Sequence, residues 1–557
     1  MAIVVVDGVE VEIGDGERLN GVQAARRAGI EIPHYCWHPG LSVVASCRMC
    51  LVESGKRDPA TGQVTLLPKL VPACQTPATD GTVFVTQSDT VRQARAMVEE
   101  DLLIRHPIDC PICDKAGECS LQDYHFRYGR AERRADLRPF TSRRRTLGDT
   151  VSLFVDRCVM CSRCVRFCRE VAGTSELMVA HRGAHEEIDV FPGFPLANRL
   201  SGNVVDLCPV GALADRDFLY QQRVWFMRSH KHVCAGCSTG CSIRIDTNQD
   251  RIHRLKPRAN AAVNQWWMCD EGRYAFKHVH DASRIVEPRA RVGNRWEARD
   301  WPSILDALRG RLADAPSITV VLSPHQTVEE AYLLAALARR HDPSARIVVG
   351  ETPMRGADES FPTGFTIRAE KCPNRRGVER IAEGWNEAAG GSESSDDFGW
   401  SAFLAELDRG ARPGAVWIAG GGPDGAVDPE TALRLRRTPL LIVQSLFHNP
   451  LCDQADFVLP ATAFAEREGS YVNATDRLQS FAWALRPPIG VEPDGPLYWK
   501  LLDRSGLYRG PVVLKEIAER WESFAAARGS IPETGLDLGG AVRPQSTRRP
   551  AAPVSTT

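Results

Sequence analysis

The chain opens with two runs of alternating apolar and polar residues, Val4–Val6 and Val9–Ile13, on either side of an Asp-Gly pair. Period-two alternation around such a dipeptide predicts a β-hairpin. Gly21–Ala28 predicts a short helix, and Val91, Ala94, Val98 and Leu102 recur at helical spacing behind Ser88 or Asp89, either of which can cap a second one. His106-Pro107 should end that helix, because the residue before a proline is driven out of the α region. Beyond about Val286 the texture changes. SITVVLSP, ARIVVG, GAVWIAGGG and PLLIVQSL are short apolar runs, several of them separated by helical stretches such as Thr327–Arg340. Strands alternating with helices predict a parallel α/β sheet. Gly420–Gly422 follows one such strand and offers a close approach to a phosphate, although a lone glycine cluster carries little weight. From about Arg528 the tail turns rich in Gly, Pro, Ser and Thr and is expected to be disordered.

At 557 residues the chain is too long for one core, and ordinary domain sizes suggest about four units. A net charge of −1 gives no global pull toward nucleic acid. The arginine-rich stretch from about Arg127 to Arg145 lacks densely interleaved stacking aromatics, so a solvated linker or docking face is the reading. No apolar run approaches the roughly 18 residues of a membrane span, and the N-terminus has no secretory pattern. The chain is therefore expected in the cytoplasm or an equivalent reducing compartment.

The 18 cysteines change the picture. In a reducing compartment, cysteines at short fixed spacings read as metal ligands rather than disulfides. Cys36, Cys47, Cys50 and Cys74 follow the pattern of a [2Fe–2S] ferredoxin loop, with a first gap of ten residues where simple ferredoxins have four. A zinc site on CRMC is the alternative, but it lacks a matching second CxxC pair. In HPIDCPICDKAGECSLQD, His106 precedes Cys110, Cys113 and Cys119. A lone histidine is ordinarily a cap or core residue; three cysteines at cluster spacing behind it argue for ligation, and an imidazole in place of a thiolate should raise the potential.

Cys158, Cys161 and Cys164 form C-x2-C-x2-C, and Cys208-Pro209 supplies a remote fourth ligand, which is a [4Fe–4S] pattern. Cys168 sits where a two-cluster ferredoxin places an extra ligand, but Arg169 rather than proline follows it, so it reads as a spare buried thiol. Cys234, Cys237, Cys241 and Cys269 make a third cubane set, for which a four-cysteine zinc ribbon is the competitor. These sets use 15 of the 18 cysteines and leave Cys168, Cys372 and Cys452.

Taken in order, the motifs over about residues 1–500 resemble the large iron–sulfur subunit of bacterial respiratory NADH:quinone oxidoreductase, complex I. DFVLPATAFAEREGSYVNATDRLQS (Asp456–Ser480) looks like a molybdopterin-oxidoreductase stretch. The resemblance implies a multidomain α+β and α/β chain: a [2Fe–2S] ferredoxin-like domain at 1–86; a [4Fe–4S] domain with one His and three Cys ligands at 87–135; and a ferredoxin-like [4Fe–4S] domain at 150–222. A molybdopterin-oxidoreductase-type [4Fe–4S] domain at 230–283, a truncated α/β domain of the same type at 284–527 and a tail at 528–557 complete it. It further implies one [2Fe–2S] and three [4Fe–4S] clusters on the four ligand sets, no molybdopterin, and the third cubane off the main electron path. The partners it implies are a flavin/NADH-binding subunit, that subunit's [2Fe–2S] companion and downstream iron–sulfur subunits of a quinone module. No catalytic residue, no nucleic acid and no membrane span are expected, and the location is the cytoplasmic side of the inner membrane. An NAD-linked formate dehydrogenase or hydrogenase complex is the rival. A molybdenum domain would need several hundred more residues after Cys269, and the KCPNRRGVE segment around Cys372 resembles the complex I version. An iron-only hydrogenase would need further cysteine motifs.

Overall fold

A computed structural model describes residues 1–132, 134–141, 143–183, 185–293, 295–388, 398–420, 422 and 427–539. The chain forms two compact units. The first comprises 1–282 with 354–371 and 483–486; the second holds 283–353, 372–482 and 487–557.

In the first unit the predicted hairpin forms from Ala2–Val6 and Val9–Ile13, with Asp7 and Gly8 both at positive φ in the turn. Ala2–Val6 also pairs in parallel with Thr82–Val85, which lies antiparallel to Leu51–Arg57. Alternate residues Val4, Val6, Val52 and Phe84 are fully buried and pack on the helix Gly21–Arg27 through Val22, Ala24 and Ala25. Asn20 and Gln23 close a capping box at that helix's start. Ser88, not Asp89, caps the helix Asp89–Leu103, whose regular turns end just before Ile104. Two small three-stranded sheets follow. One orders Leu213–Asp215, Val151–Phe154 and Arg144–Thr146; the other orders Arg228–Val233, Ser242–Asn248 and Arg251–Pro257.

The second unit is built on a seven-stranded sheet. Five strands, Phe457–Pro460, Leu440–Ser445, Ala415–Ala419, Ile318–Leu322 and Arg346–Val349, run parallel in that spatial order, and the hairpin Arg289–Val292/Arg295–Ala298 adds an antiparallel edge. The parallel strands are buried residue after residue, which is why they read as unbroken apolar runs. Thr327 and Glu330 form a capping box on Val328–His341, a helix buried along most of its length.

One expectation needs correcting here, and one glycine has a packing reason. A Cβ at Gly420 would lie 2.5 Å from the Gln444 carbonyl oxygen, so that glycine permits close packing of neighbouring strands. Gly421 lies outside the described residues. The start of the supposed tail is ordered: Leu536–Asp537 pairs with Arg477–Leu478, and only 540–557 of that segment lie outside the described residues.

Candidate iron–sulfur sites

Cys36, Cys47, Cys50 and Cys74 lie in loops against the first sheet. The Cys36 thiol is within hydrogen-bonding reach of Cys47 and Cys74, and Cys50 is within reach of Cys74. Ala45 and Arg48 take positive φ, so the loop turns its amides inward, and Cys36 N–H approaches the Cys47 sulfur at 3.5 Å. Inward amides are what a sulfide-bridged cluster requires of its loop.

His106 is half-buried. Its Nδ1–H donates to the Pro107 carbonyl at 2.8 Å, which leaves the Nε2 lone pair for a metal. Burial holds its pKa below the usual value, so the ring is neutral, as ligation requires. Cys110 is exposed, whereas Cys113 and Cys119 are half-buried. Cys119 stands at the N-terminus of the helix Ser120–Tyr128, whose Leu121 and Gln122 amides face its sulfur.

Burial raises the Cys158 and Cys164 thiols above the ordinary value, and the cysteines around them, Cys161 and Cys208 among them, add to the rise. Met160 and Ser162, between the first three, both have positive φ, and Met160 N–H points at the Cys158 sulfur at 3.4 Å. Cys168 is fully buried beside Cys164. The fourth set is framed by strand pairing. Val233 pairs with Ser242, which brings Cys234 and Cys241 together, and Cys234 N–H donates to the Cys241 carbonyl at 2.8 Å. Gly236 N–H approaches the Cys234 sulfur at 3.5 Å, and Gly272 N–H approaches the Cys269 sulfur at 3.3 Å. Burial pushes the Cys119 and Cys161 thiols up to about 11 and Cys234 up to about 12. Loading of metal must therefore displace protons.

None of the 18 cysteines is in a disulfide. Thiols and one imidazole, with backbone N–H groups turned toward sulfur, are a donor set that suits iron–sulfur clusters.

Spacing gave no sign of the residues that join one set to the next. Arg166 is buried and donates to the carbonyls of Cys36 and Ser42 on one side and of Cys161, at 3.2 Å, on the other. Arg163 reaches the Trp37 carbonyl at 2.6 Å and the Leu207 carbonyl at 3.1 Å. Both lie within SRCVRF, and only their place inside the ligand motif hinted at a role. Toward the His106 set, Ser120 N–H donates to the Pro209 carbonyl at 2.9 Å, and Gly211 lies so close that a Cβ would stand 2.1 Å from the Cys113 sulfur. Arg223 binds the Cys110 and Cys113 carbonyls at 2.9 and 3.0 Å, and Arg157 binds Asp109 at 2.8 Å. Toward the fourth set, the buried Asn203 donates from Nδ2 to the Met268 carbonyl at 2.7 Å and accepts the Met268 N–H on Oδ1 at 3.1 Å. The arginine-rich stretch is engaged in pairs with the unit's own acids: Arg134 with Glu100, Arg143 with Asp156 and Arg145 with Asp189.

This is an iron–sulfur protein assembled from successive cluster-binding domains ahead of an α/β domain. Family models match in that order: the 2Fe-2S iron-sulfur cluster binding domain at residues 3–89; the NADH-ubiquinone oxidoreductase-G iron-sulfur binding region at 95–134; and the NADH-quinone oxidoreductase subunit 3, ferredoxin-like domain at 148–214. The molybdopterin oxidoreductase Fe4S4 domain matches 227–281 and molybdopterin oxidoreductase matches 385–498. The G subunit of NADH-quinone oxidoreductase from Rickettsia bellii is 33% identical over 337 residues, which cover 60% of this chain and 48% of that protein. Its counterpart in Streptomyces coelicolor is 35% identical over 345 residues, 60% of this chain and 39% of its own. The mitochondrial NADH-ubiquinone oxidoreductase 78 kDa subunit of Candida albicans is 36% identical over 309 residues, 55% of this chain and 41% of its own. Among solved structures, a chain of an NAD+-reducing [NiFe]-hydrogenase is 25% identical with a TM-score of 0.33, covering 40% of this chain and 91% of its own. The cluster-binding part of the chain is similar to the G subunits of NADH-quinone oxidoreductase. The chain spans about half the length of the curated relatives it matches. Among the described residues no helix is long and apolar enough to cross a membrane.

Proposed function

We propose that the chain is the large iron–sulfur electron carrier of an NADH:quinone oxidoreductase, peripheral on the cytoplasmic side of the inner membrane. It would receive electrons from a flavin/NADH-binding subunit and its [2Fe–2S] companion and pass them toward iron–sulfur subunits of a quinone module. NADH and quinone are met by those partners, so this chain needs no substrate site. In this reading the cluster domains are 1–86, 87–135, 150–222 and 230–283, and 284–527 is a shortened relative of a molybdopterin domain. Cys36, Cys47, Cys50 and Cys74 hold [2Fe–2S]. The three [4Fe–4S] sets are His106 with Cys110, Cys113 and Cys119; Cys158, Cys161, Cys164 and Cys208; and Cys234, Cys237, Cys241 and Cys269.

The observation that carries the reading is the contiguity of the ligand sets. The Arg166 guanidinium alone touches the carbonyls of a [2Fe–2S] ligand and a [4Fe–4S] ligand, and Gly211, three residues after Cys208, abuts Cys113. When bound, such clusters exchange single electrons at potentials set by charge, burial and hydrogen bonds to sulfur. The amides of Met160, Gly236 and Gly272 supply those hydrogen bonds, and the arginines fix the spacing of the loops.

The test is metal content of this chain purified anaerobically from its native complex. About 14 iron atoms per chain are expected, with neither molybdenum nor tungsten. A stoichiometric molybdenum or tungsten atom would overturn the reading in favour of a formate-dehydrogenase-type catalytic subunit.

A further inference from the structure

Arg95 lies on the helix Asp89–Leu103, on the face it shares with Val91 and Glu99, and all three residues are buried. Arg95 has no solvent exposure, and none of its three guanidinium nitrogens makes a hydrogen bond of ordinary geometry among the described residues, the Tyr128 side chain coming nearest to one. A buried, unpaired guanidinium is costly, and arginine does not escape by losing its proton. Its available neighbours do little to offset that cost. Glu99, one turn on, makes no ion pair with it; that carboxyl instead accepts the Tyr35 hydroxyl and leaves its other oxygen without a partner. The Asp7 carboxylate attracts it from a distance, but makes no ion pair with it and accepts the Thr86 amide and hydroxyl instead, so it offsets the cost only in part. The Tyr128 ring lies 5.1 Å from the guanidinium carbon, a modest cation–π contact.

What remains is the [2Fe–2S] loop. The helix packs on Leu51–Arg57, the strand that starts at the residue after Cys50, and Arg95 feels the Cys50 sulfur's charge. Four thiolates around two irons make a site that is negative when oxidised and one charge more negative when reduced.

We infer that Arg95 is the buried counter-charge of the [2Fe–2S] site and that it raises the reduction potential there. The inference rests on the ligand assignment proposed above. A fixed cation in a poorly screened interior stabilises the reduced state more than the oxidised one, because the reduced state carries the extra negative charge.

Arg95→Met and Arg95→Gln remove the charge at similar size, and Arg95→Lys retains it. The readout is the midpoint of this chain's own [2Fe–2S] electron paramagnetic resonance signal, in redox titrations of the chain isolated anaerobically from its native complex, away from the companion subunit's cluster. In the neutral variants the equilibrium should shift at least tenfold toward the oxidised form, about 59 mV for one electron; Arg95→Lys should stay near wild type. In cluster-free chain, Arg95→Met should melt no lower than wild type, because there the cation has no counter-charge to lose. An unchanged midpoint in the neutral variants, or a marked fall in the cluster-free melting temperature, overturns the inference in favour of a packing role. If the neutral variants lose the signal while Arg95→Lys keeps it, the charge is needed to retain the cluster and the inference stands. If Arg95→Lys loses it too, shape is what the position requires and the inference fails. Absence of the signal in wild type overturns the ligand assignment itself.

Discussion

The proposed ligands stand out in the sequence, because sulfur chemistry favours short, repeated spacings. The groups that seat them were not legible. Arg166 meets the Cys36 carbonyl across 130 residues, and Asn203 meets the Met268 carbonyl across 65. Such bonds go to backbone, so they leave no complementary residue type in the sequence. Gly211 shows the same limit, since nothing local marks it as the wall of a site around Cys113. Gly211→Ala places a methyl group 2.1 Å from the Cys113 sulfur. Loss of the cluster on His106, Cys110, Cys113 and Cys119 is expected, with about four fewer irons per chain. Iron analysis checks it, and full retention of iron would show that the loop yields.

Among the elements, those with a strong period were readable: the N-terminal hairpin, the helix behind Ser88 and the parallel strands of the second unit. Leu213–Asp215 and Leu536–Asp537 were not, because strands of two or three residues are made by distant partners rather than by their own pattern. The helix Val328–His341 carries an element-scale consequence. Burial pushes Glu329 up to about 8 from an ordinary value of 4.5, although it accepts the Ser470 amide at 2.8 Å and hydroxyl at 2.9 Å. The folded state thus holds this proton more tightly than the unfolded state does. The stability it contributes is complete below about pH 4.5, falls as pH rises toward about 8, and is level above that. Glu329→Gln should remove this share of the slope in urea midpoints measured between about pH 5 and 8. Asp494, raised to about 7 by burial, leaves a residual slope of the same sign. An unaltered profile in Glu329→Gln would mean that the carboxyl is already charged in the folded state.

For the whole molecule, the sequence supplied the order of cluster motifs but not the division into two units. Residues 354–371 and 483–486 belong to the first unit although they are flanked by segments of the second, and membership of that kind depends on contacts no local pattern encodes. The two units differ in what holds them. The second has an extensive apolar core, including Leu308, Leu322, Leu334, Ile347, Trp417 and Leu459. The first has a smaller apolar core around Val4, Val6, Val22 and Phe84, and buries most of the proposed cluster ligands as well. Removal of iron with a chelator under reducing conditions should lower the melting transition of the first unit and leave a transition of the second. Differential scanning calorimetry on the full chain reads both. A common fall of all transitions would show that the second core also depends on the clusters.

The wall around the His106 set has a consequence for biosynthesis. All four ligands have left the ribosome once Cys119 is out, yet the pieces that cover them, Pro209, Gly211 and Arg223, are translated about a hundred residues later. A nascent chain paused in that interval has a complete set of ligands with no shelter from oxygen. Iron delivered in that interval would meet a site whose outer wall has not yet been made.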